Sequence, residues 1–220
     1  MMSWNEYVAA WSAVHQGIDP QSSVWVRGYL RVVYPVAKVA NSLRITPNLV
    51  TASGVVVSAI LVWAALAQNL WLLAILMFVG IATDALDGAL AIGQNKVSAF
   101  GSVFDSVVDR INEAALLIAL TILAGLEYVA LGIAGFICVM IIEYMRVRAR
   151  VAKPEISEKV TLWERPTRVI VSIATIISAL FFESFPAISL SAVALAGLAA
   201  WLTLGLVAAG QLTRHFKSQL

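Results

Sequence analysis

The sequence predicts an all-α integral membrane protein with six transmembrane helices, an interfacial amphipathic helix ahead of them, and both termini cytoplasmic. Three observations predict it. The 220-residue chain is 60% hydrophobic and only 13% charged, with a mean hydropathy of +0.87. Six apolar runs, at 48–67, 70–91, 100–124, 127–149, 166–182 and 186–210, approach the roughly 20 residues that cross a bilayer. All 15 Lys and Arg fall in alternate segments between those runs. Cationic loops stay on the cytoplasmic side, so the alternation orients the chain.

The elements follow in order. Glu6 comes early and no basic stretch precedes a short apolar core, so no cleavable signal peptide is expected. Residues 22–43 read as the interfacial helix. Arg27, Arg31 and Lys38 share one stripe, opposite Trp25, Tyr29, Val33, Val36 and Ala40, and Pro35 is expected to kink it. Such a helix suits the anionic inner leaflet. Thr46 then caps the first span and Pro47 takes its first helical position. Lys96 joins spans two and three, and Arg110 lies just inside span three. Arg146, Arg148, Arg150, Lys153, Lys159, Arg165 and Arg168 connect spans four and five, and Arg214 and Lys217 follow span six. Residues 1–45 thus form an N-terminal segment, 46–212 a six-helix domain and 213–220 a cytoplasmic tail. The single Cys138 excludes an internal disulfide. The net charge of +2 is uninformative by itself, and no nucleic-acid partner is expected.

Four aspartates break the apolar pattern where spans two and three meet. Asp84 and Asp87 are three residues apart, and Asp105 and Asp109 four, so each pair shares a helix face. An Asp at a bilayer centre costs about 2.5–3.5 kcal/mol on insertion scales, so four of them need compensation. Clustered carboxylates offer only oxygen, which suits a hard divalent cation, magnesium first, in one or two ions. Gly88 and Gly101, one per helix, leave room for a ligand to approach the backbone. A set of interfacial helix-capping charges explains neither the pairing nor the glycines. A cation-transport path is the sharper rival, but all four carboxylates lie near one membrane face.

The stretch reads D-x2-D-G-x2-A-I-x8-G-x3-D-x3-D and resembles the signature of the CDP-alcohol phosphotransferases. The match runs through Asp84, Asp87, Gly88, Ala91, Gly101, Asp105 and Asp109; the family's Arg after Ala91 is Ile92 here. Lys96 is the nearest candidate replacement for its charge. The resemblance implies a homodimeric enzyme of the cytoplasmic membrane that moves a phosphatidyl group from a CDP-lipid, such as CDP-diacylglycerol, to a polar alcohol. CMP leaves. The four aspartates would hold two Mg ions, or Mn, and Asp109 would also act as the base. Thr46, Pro47, Asn48, Leu49, Gly88, Ser98 and Gly101 match positions that hold the donor. A member that lost catalysis with the Arg, yet still binds the donor, is the alternative.

Asp105-Ser-Val-Val-Asp109-Arg110-Ile-Asn-Glu113 is similar to the phosphatidylinositol-phosphate synthase branch and its archaeal relatives. Tyr144-Met-Arg146-Val-Arg148 and Glu164-Arg165-Pro166-Thr-Arg168 resemble segments of the same branch. Arg146, Arg148, Arg165 and Arg168 are therefore candidates for an acceptor clamp, since guanidinium pairs bidentately with phosphate. The same residues also satisfy the orientation rule alone. Two positions depart from the branch: Arg150 replaces a Glu, and Gln211-Leu212 replaces a Gln-Arg pair. Inositol phosphate is the first acceptor to consider, with inositol or glycerol phosphate as alternatives.

Overall fold

The computed structural model describes every residue except 16, 18, 158, 184, 186 and 187, and omits the side chain of Gln21. Among the described residues it is all-helical: α1 (Trp4–Val14), α2 (Val24–Ser42), α3 (Pro47–Leu66), α4 (Leu70–Gly93), α5 (Ala99–Ala124), α6 (Val129–Ala152), α7 (Arg165–Phe182) and α8 (Leu190–Gln219). Short 3-10 turns at Pro20–Ser22 and Leu126–Tyr128 lead into α2 and α6. Among the described residues, five helices are long and apolar enough to cross a membrane: α3, α4, α6 with its leading turn, α7 and α8. α5 is as long, at 26 residues, but Asp105, Asp109, Arg110 and Glu113 charge the stretch from its second turn to its middle. α8 runs on to Gln219, so the segment expected as a tail is helical. The chain divides into two units, Met1–Ser58 with Phe78–Asn112, and Ala59–Met77 with Glu113–Leu220.

Unit 1 contains α1, a helix absent from the sequence expectation. Its start is fixed by a capping box in which the Ser3 amide (2.8 Å) and hydroxyl (2.7 Å) donate to Glu6. Those bonds hold the Glu6 carboxyl below its usual value. Tyr7 and Trp11 of α1 are buried with Leu30, Ala37 and Ala40 of α2, Val50 of α3, and Ala89, Leu90 and Ile92 of α4. Tyr34 stacks its edge on Trp4 at 5.2 Å and donates to the Met2 carbonyl at 3.0 Å. The Met2 amide donates to the Gly93 carbonyl at 2.9 Å. Burial pushes the Tyr7 phenol up to about 12, with Tyr29 adding to it.

α2 has three faces rather than two. Leu30, Ala37 and Ala40 are buried, while Trp25, Tyr29, Val32, Val36 and Val39 form an exposed apolar stripe. Arg27, Arg31 and Lys38 occupy the third sector. Ala40 therefore moves from the expected lipid-side stripe to the protein face. The helix continues through Pro35.

Unit 2 packs on small residues. Side chains of Thr121 and Thr175 lie where a Cβ on Gly132 and on Gly197 would stand, the close backbone approach that drives helix association in lipid. Trp163 and Trp201 are fully buried edge to face at 5.3 Å, and Trp201 donates to Ser172 at 3.0 Å. Trp63 and Trp71 are exposed, as expected of interfacial anchors.

Candidate active site

The aspartate site is built within unit 1 from α3, α4 and α5. Asp84, Asp105 and Asp109 each bring one carboxylate oxygen within 4.8 Å of the others. They line a cavity of ≈ 10 Å³ with Asp87, Thr51, Thr83 and Asn112, room for about one water or ion. Asp87 is buried, and the Thr51 hydroxyl lies 2.6 Å from its Oδ2. Asp109 is buried as well. The helical spacings explain the convergence: Asp105 and Asp109 face one way from α5, and Asp84 and Asp87 one way from α4. An all-carboxylate set this tight fits a hard divalent cation, because the ion removes the mutual repulsion that otherwise opposes the arrangement.

Thr51, Gly54, Thr83 and Asn112 at this site escaped the sequence reading. Thr51 is one turn past Pro47 on α3. Asn112 is three residues past Asp109, and its Oδ1 accepts from the Ser58 hydroxyl at 2.5 Å. A Cβ on Gly54 would sit 3.1 Å from Val108, so this glycine sets how closely α3 approaches α5. The i+3 and i+4 offsets from Pro47 and Asp109 were the available signal.

The expected donor positions gather at one end of unit 1. Thr46, Pro47, Asn48 and Leu49 open α3, Ser98 and Gly101 open α5, and Gly88 lies in α4's last turns. Gln94 joins the turns after α4 and before α3, donating to the Ile45 carbonyl at 2.8 Å. Ser98 caps α5, accepting from the Gly101 amide at 3.0 Å. A Cβ on Gly101 would meet Ser98 at 3.1 Å and Asn48 at 3.7 Å, which places these three together. A Cβ on Gly88 would meet nothing within 4 Å. No protein atom demands a glycine there, and the space beside its backbone stands open. Ile92, at the motif's Arg position, points into the α1 core and is only 6% exposed.

The expected acceptor arginines lie in unit 2. Arg168 is buried at 1% exposure and fully engaged: Nε donates to Glu113 at 2.6 Å, Nη1 to the Trp163 carbonyl at 2.9 Å and Nη2 to Glu143 at 3.1 Å. Arg146 donates to Glu164 at 2.5 Å. Burial opposes ionisation of Glu164. Bonds from the Thr161 amide, Arg146 and the Thr161 hydroxyl outweigh it and hold the carboxyl below its usual value. Arg148 is exposed, and Arg165 is not free. Leu212 is fully buried, and Gln211 accepts from the Leu162 amide at 3.3 Å.

Residues 44–209 match the family model described as CDP-alcohol phosphatidyltransferase. The chain belongs to that family. It is 37% identical over 117 residues to the archaetidylinositol phosphate synthase of Pyrococcus horikoshii, covering 53% of this chain and 62% of the relative. It is 33% identical over 150 residues to the phosphatidylinositol phosphate synthase of Mycolicibacterium smegmatis, covering 65% of this chain and 66% of that one. The aligned stretches thus span about two thirds of these relatives' length or a little less. The fold is similar to that of the Mycobacterium tuberculosis phosphatidylinositol phosphate synthase solved with manganese and citrate, with a TM-score of 0.70 at 21% identity. That likeness covers 84% of this chain and 89% of the other.

Proposed function

We propose that this protein transfers a phosphatidyl group from a CDP-lipid, of the CDP-diacylglycerol kind, to the hydroxyl of a polar alcohol, releasing CMP. The convergence of Asp84, Asp105 and Asp109 in a chain of this family carries the reading. The acceptor oxygen bonds to the lipid-bearing phosphorus as the bond from that phosphorus to CMP breaks. Asp109 takes the hydroxyl proton, the general-base role. With Asp84, Asp87 and Asp105 it would also hold one or two Mg or Mn ions, which would supply charge to neutralise the donor's pyrophosphate. Thr51 fixes the Asp87 carboxylate. Thr46, Pro47, Asn48, Leu49, Gly88, Ser98 and Gly101 hold the CDP moiety, and the open space beside Gly88 supports its part. Arg146, Arg148, Arg165 and Arg168 belong to the acceptor side. The relatives' names bring an inositol phosphate as the first acceptor to try.

The enzyme sits in the cytoplasmic membrane as a homodimer with its site and both termini facing the cytoplasm. α5 serves as the sixth span, its charged stretch towards the cytoplasmic end, and α2 lies on the inner leaflet. The exposed apolar stripe of α2 beside its basic sector supports that placement. The burial of Ile92 favours one second reading, a member that binds CDP-lipid without turning it over.

The test is CMP release from CDP-diacylglycerol with Mg or Mn across several alcohols, beside calorimetric binding of CDP. Release with one alcohol that Asp109→Asn abolishes supports transfer. CDP binding without release under any alcohol supports the second reading.

A further inference from the structure

Away from the aspartates, unit 1 holds a cavity of ≈ 480 Å³ lined by Asn41, Arg44, Ile45, Gln94, Asn95 and Lys96. Small-molecule sites fall in the range of roughly 300–1,000 Å³. Two turns of the chain build it, and they are built alike. α2 ends with the Ile45 amide on the Ala40 carbonyl at 3.1 Å and the Arg44 amide on the Asn41 carbonyl at 3.0 Å. α4 ends with the Lys96 amide on the Ala91 carbonyl at 2.7 Å and the Asn95 amide on the Ile92 carbonyl at 3.0 Å. Each is the doubly bonded helix stop that sets one residue in the left-handed region. Those residues are Arg44, at φ 59°, and Asn95, at φ 54°. Gln94 ties the two turns together through the Ile45 carbonyl at 2.8 Å.

Glycine is the usual occupant of such a stop, because a Cβ crowds the following carbonyl there. Asn tolerates the position, whereas Arg44 is a strained choice for a turn alone. Arg44 and Lys96 are both exposed, and neither side chain makes an ion pair or hydrogen bond among the described residues. One cation after a helix end is ordinary, since it offsets the half charge of the C-terminus. Here two helix ends bring about −1 in sum against two full positive charges, so the cavity stays cationic by about one charge. The Asn41 and Asn95 amides add neutral donors and acceptors. A phosphomonoester suits this set, with about −1.5 to −2 charge near neutral pH and three acceptor oxygens. A phosphodiester has a single charge and fewer free oxygens.

We propose that this cavity is a second anion site, taking a phosphomonoester between Arg44 and Lys96, apart from the aspartate centre. The same chemistry comes from a soluble phosphate ester or from a phosphatidic acid head group. Full-length protein in micelles, freed of metal and then of chelator, is titrated calorimetrically with glycerol phosphate and inorganic phosphate. Native mass spectrometry reads lipid retention from micelles carrying phosphatidic acid or phosphatidylglycerol. The variant is Arg44→Gly, Lys96→Gln; glycine suits the left-handed turn, so its melting temperature is expected no lower than that of the wild type. Saturable binding of a phosphomonoester from either source, weakened roughly tenfold or more in the variant, supports the site. Glycerol phosphate binding assigns a soluble ligand, and phosphatidic acid retention without it assigns a lipid. No phosphomonoester binding by the wild type, or binding that the folded variant keeps at full strength, overturns the proposal. So does retention of phosphatidylglycerol equal to that of phosphatidic acid. None of these readouts depends on CMP release, so they decide the site whether or not the transfer reading holds.

Discussion

Removing the Arg168 side chain tests the buried network directly. Arg168→Ala deletes three contacts at 2.6, 2.9 and 3.1 Å at once. Glu143 is 34% exposed at its side chain and can turn to solvent, whereas Glu113 at 2% cannot. The Trp163 carbonyl loses this donor as well. Breaking a buried pair from one side costs about 3–5 kcal/mol, and the cost here belongs mainly to Glu113. Glu113→Gln keeps a hydrogen bond and loses the charge, so its cost is smaller, about 1.5–3 kcal/mol. The double variant Arg168→Met, Glu113→Leu exchanges the pair for apolar volume and is expected within about 1–2 kcal/mol of the wild type. The assay is reversible unfolding in mixed micelles, followed by circular dichroism, for all four proteins. A cost for Arg168→Ala below about 1 kcal/mol, or a double variant worse than either single, refutes the reasoning.

Asp109→Asn is expected to abolish CMP release, with a loss of at least about 10²–10⁴ for the base alone, and to weaken Mn binding measured by electron paramagnetic resonance; unchanged Mn affinity removes Asp109 from the metal set. Ile92→Arg places a cation in the apolar cluster under α1, and losing the buried Ile alone costs about 1.5–3 kcal/mol. The variant is expected to expose α1 to limited proteolysis without raising activity, and restored turnover would show that Arg reaches the donor instead. The raised Tyr7 value gives an alkaline limit. The unfolded phenol ionises near 10 and the folded one near 12, so this stability is intact below pH 10 and is lost between 10 and 12. Tyr7→Phe is expected to flatten that limb of an unfolding profile; an unchanged limb means another group sets it.

The aspartate site was legible because its information is local. Offsets of three and four place Asp84 with Asp87, and Asp105 with Asp109, before any tertiary fact is known, and a short turn between α4 and α5 does the rest. α1 was missed because only eleven residues form it and its capping box, Ser3 to Glu6, is brief. The face of α2 was split wrongly because one apolar pattern there serves two partners: Leu30 and Ala37 meet protein while Trp25 and Val32 stay outside. The state of the arginines was beyond reach for a different reason. Glu113 is 55 positions from Arg168 and Glu143 is 25, and no spacing rule links them. Positive charge in a loop reads alike whether it awaits a phosphate or already holds a carboxylate.

The seat of α1 also has a kinetic meaning. Its partners lie far along the chain: Tyr34 bonds the Met2 carbonyl, Met2 bonds Gly93, and Ile92 lies under Tyr7 and Trp11. Contacts that close such long loops form late, because their entropy must be met before they reward it. The first helix in sequence is therefore expected to be among the last elements of unit 1 to be secured. Its amides are therefore expected to exchange ahead of those in the middle of α4.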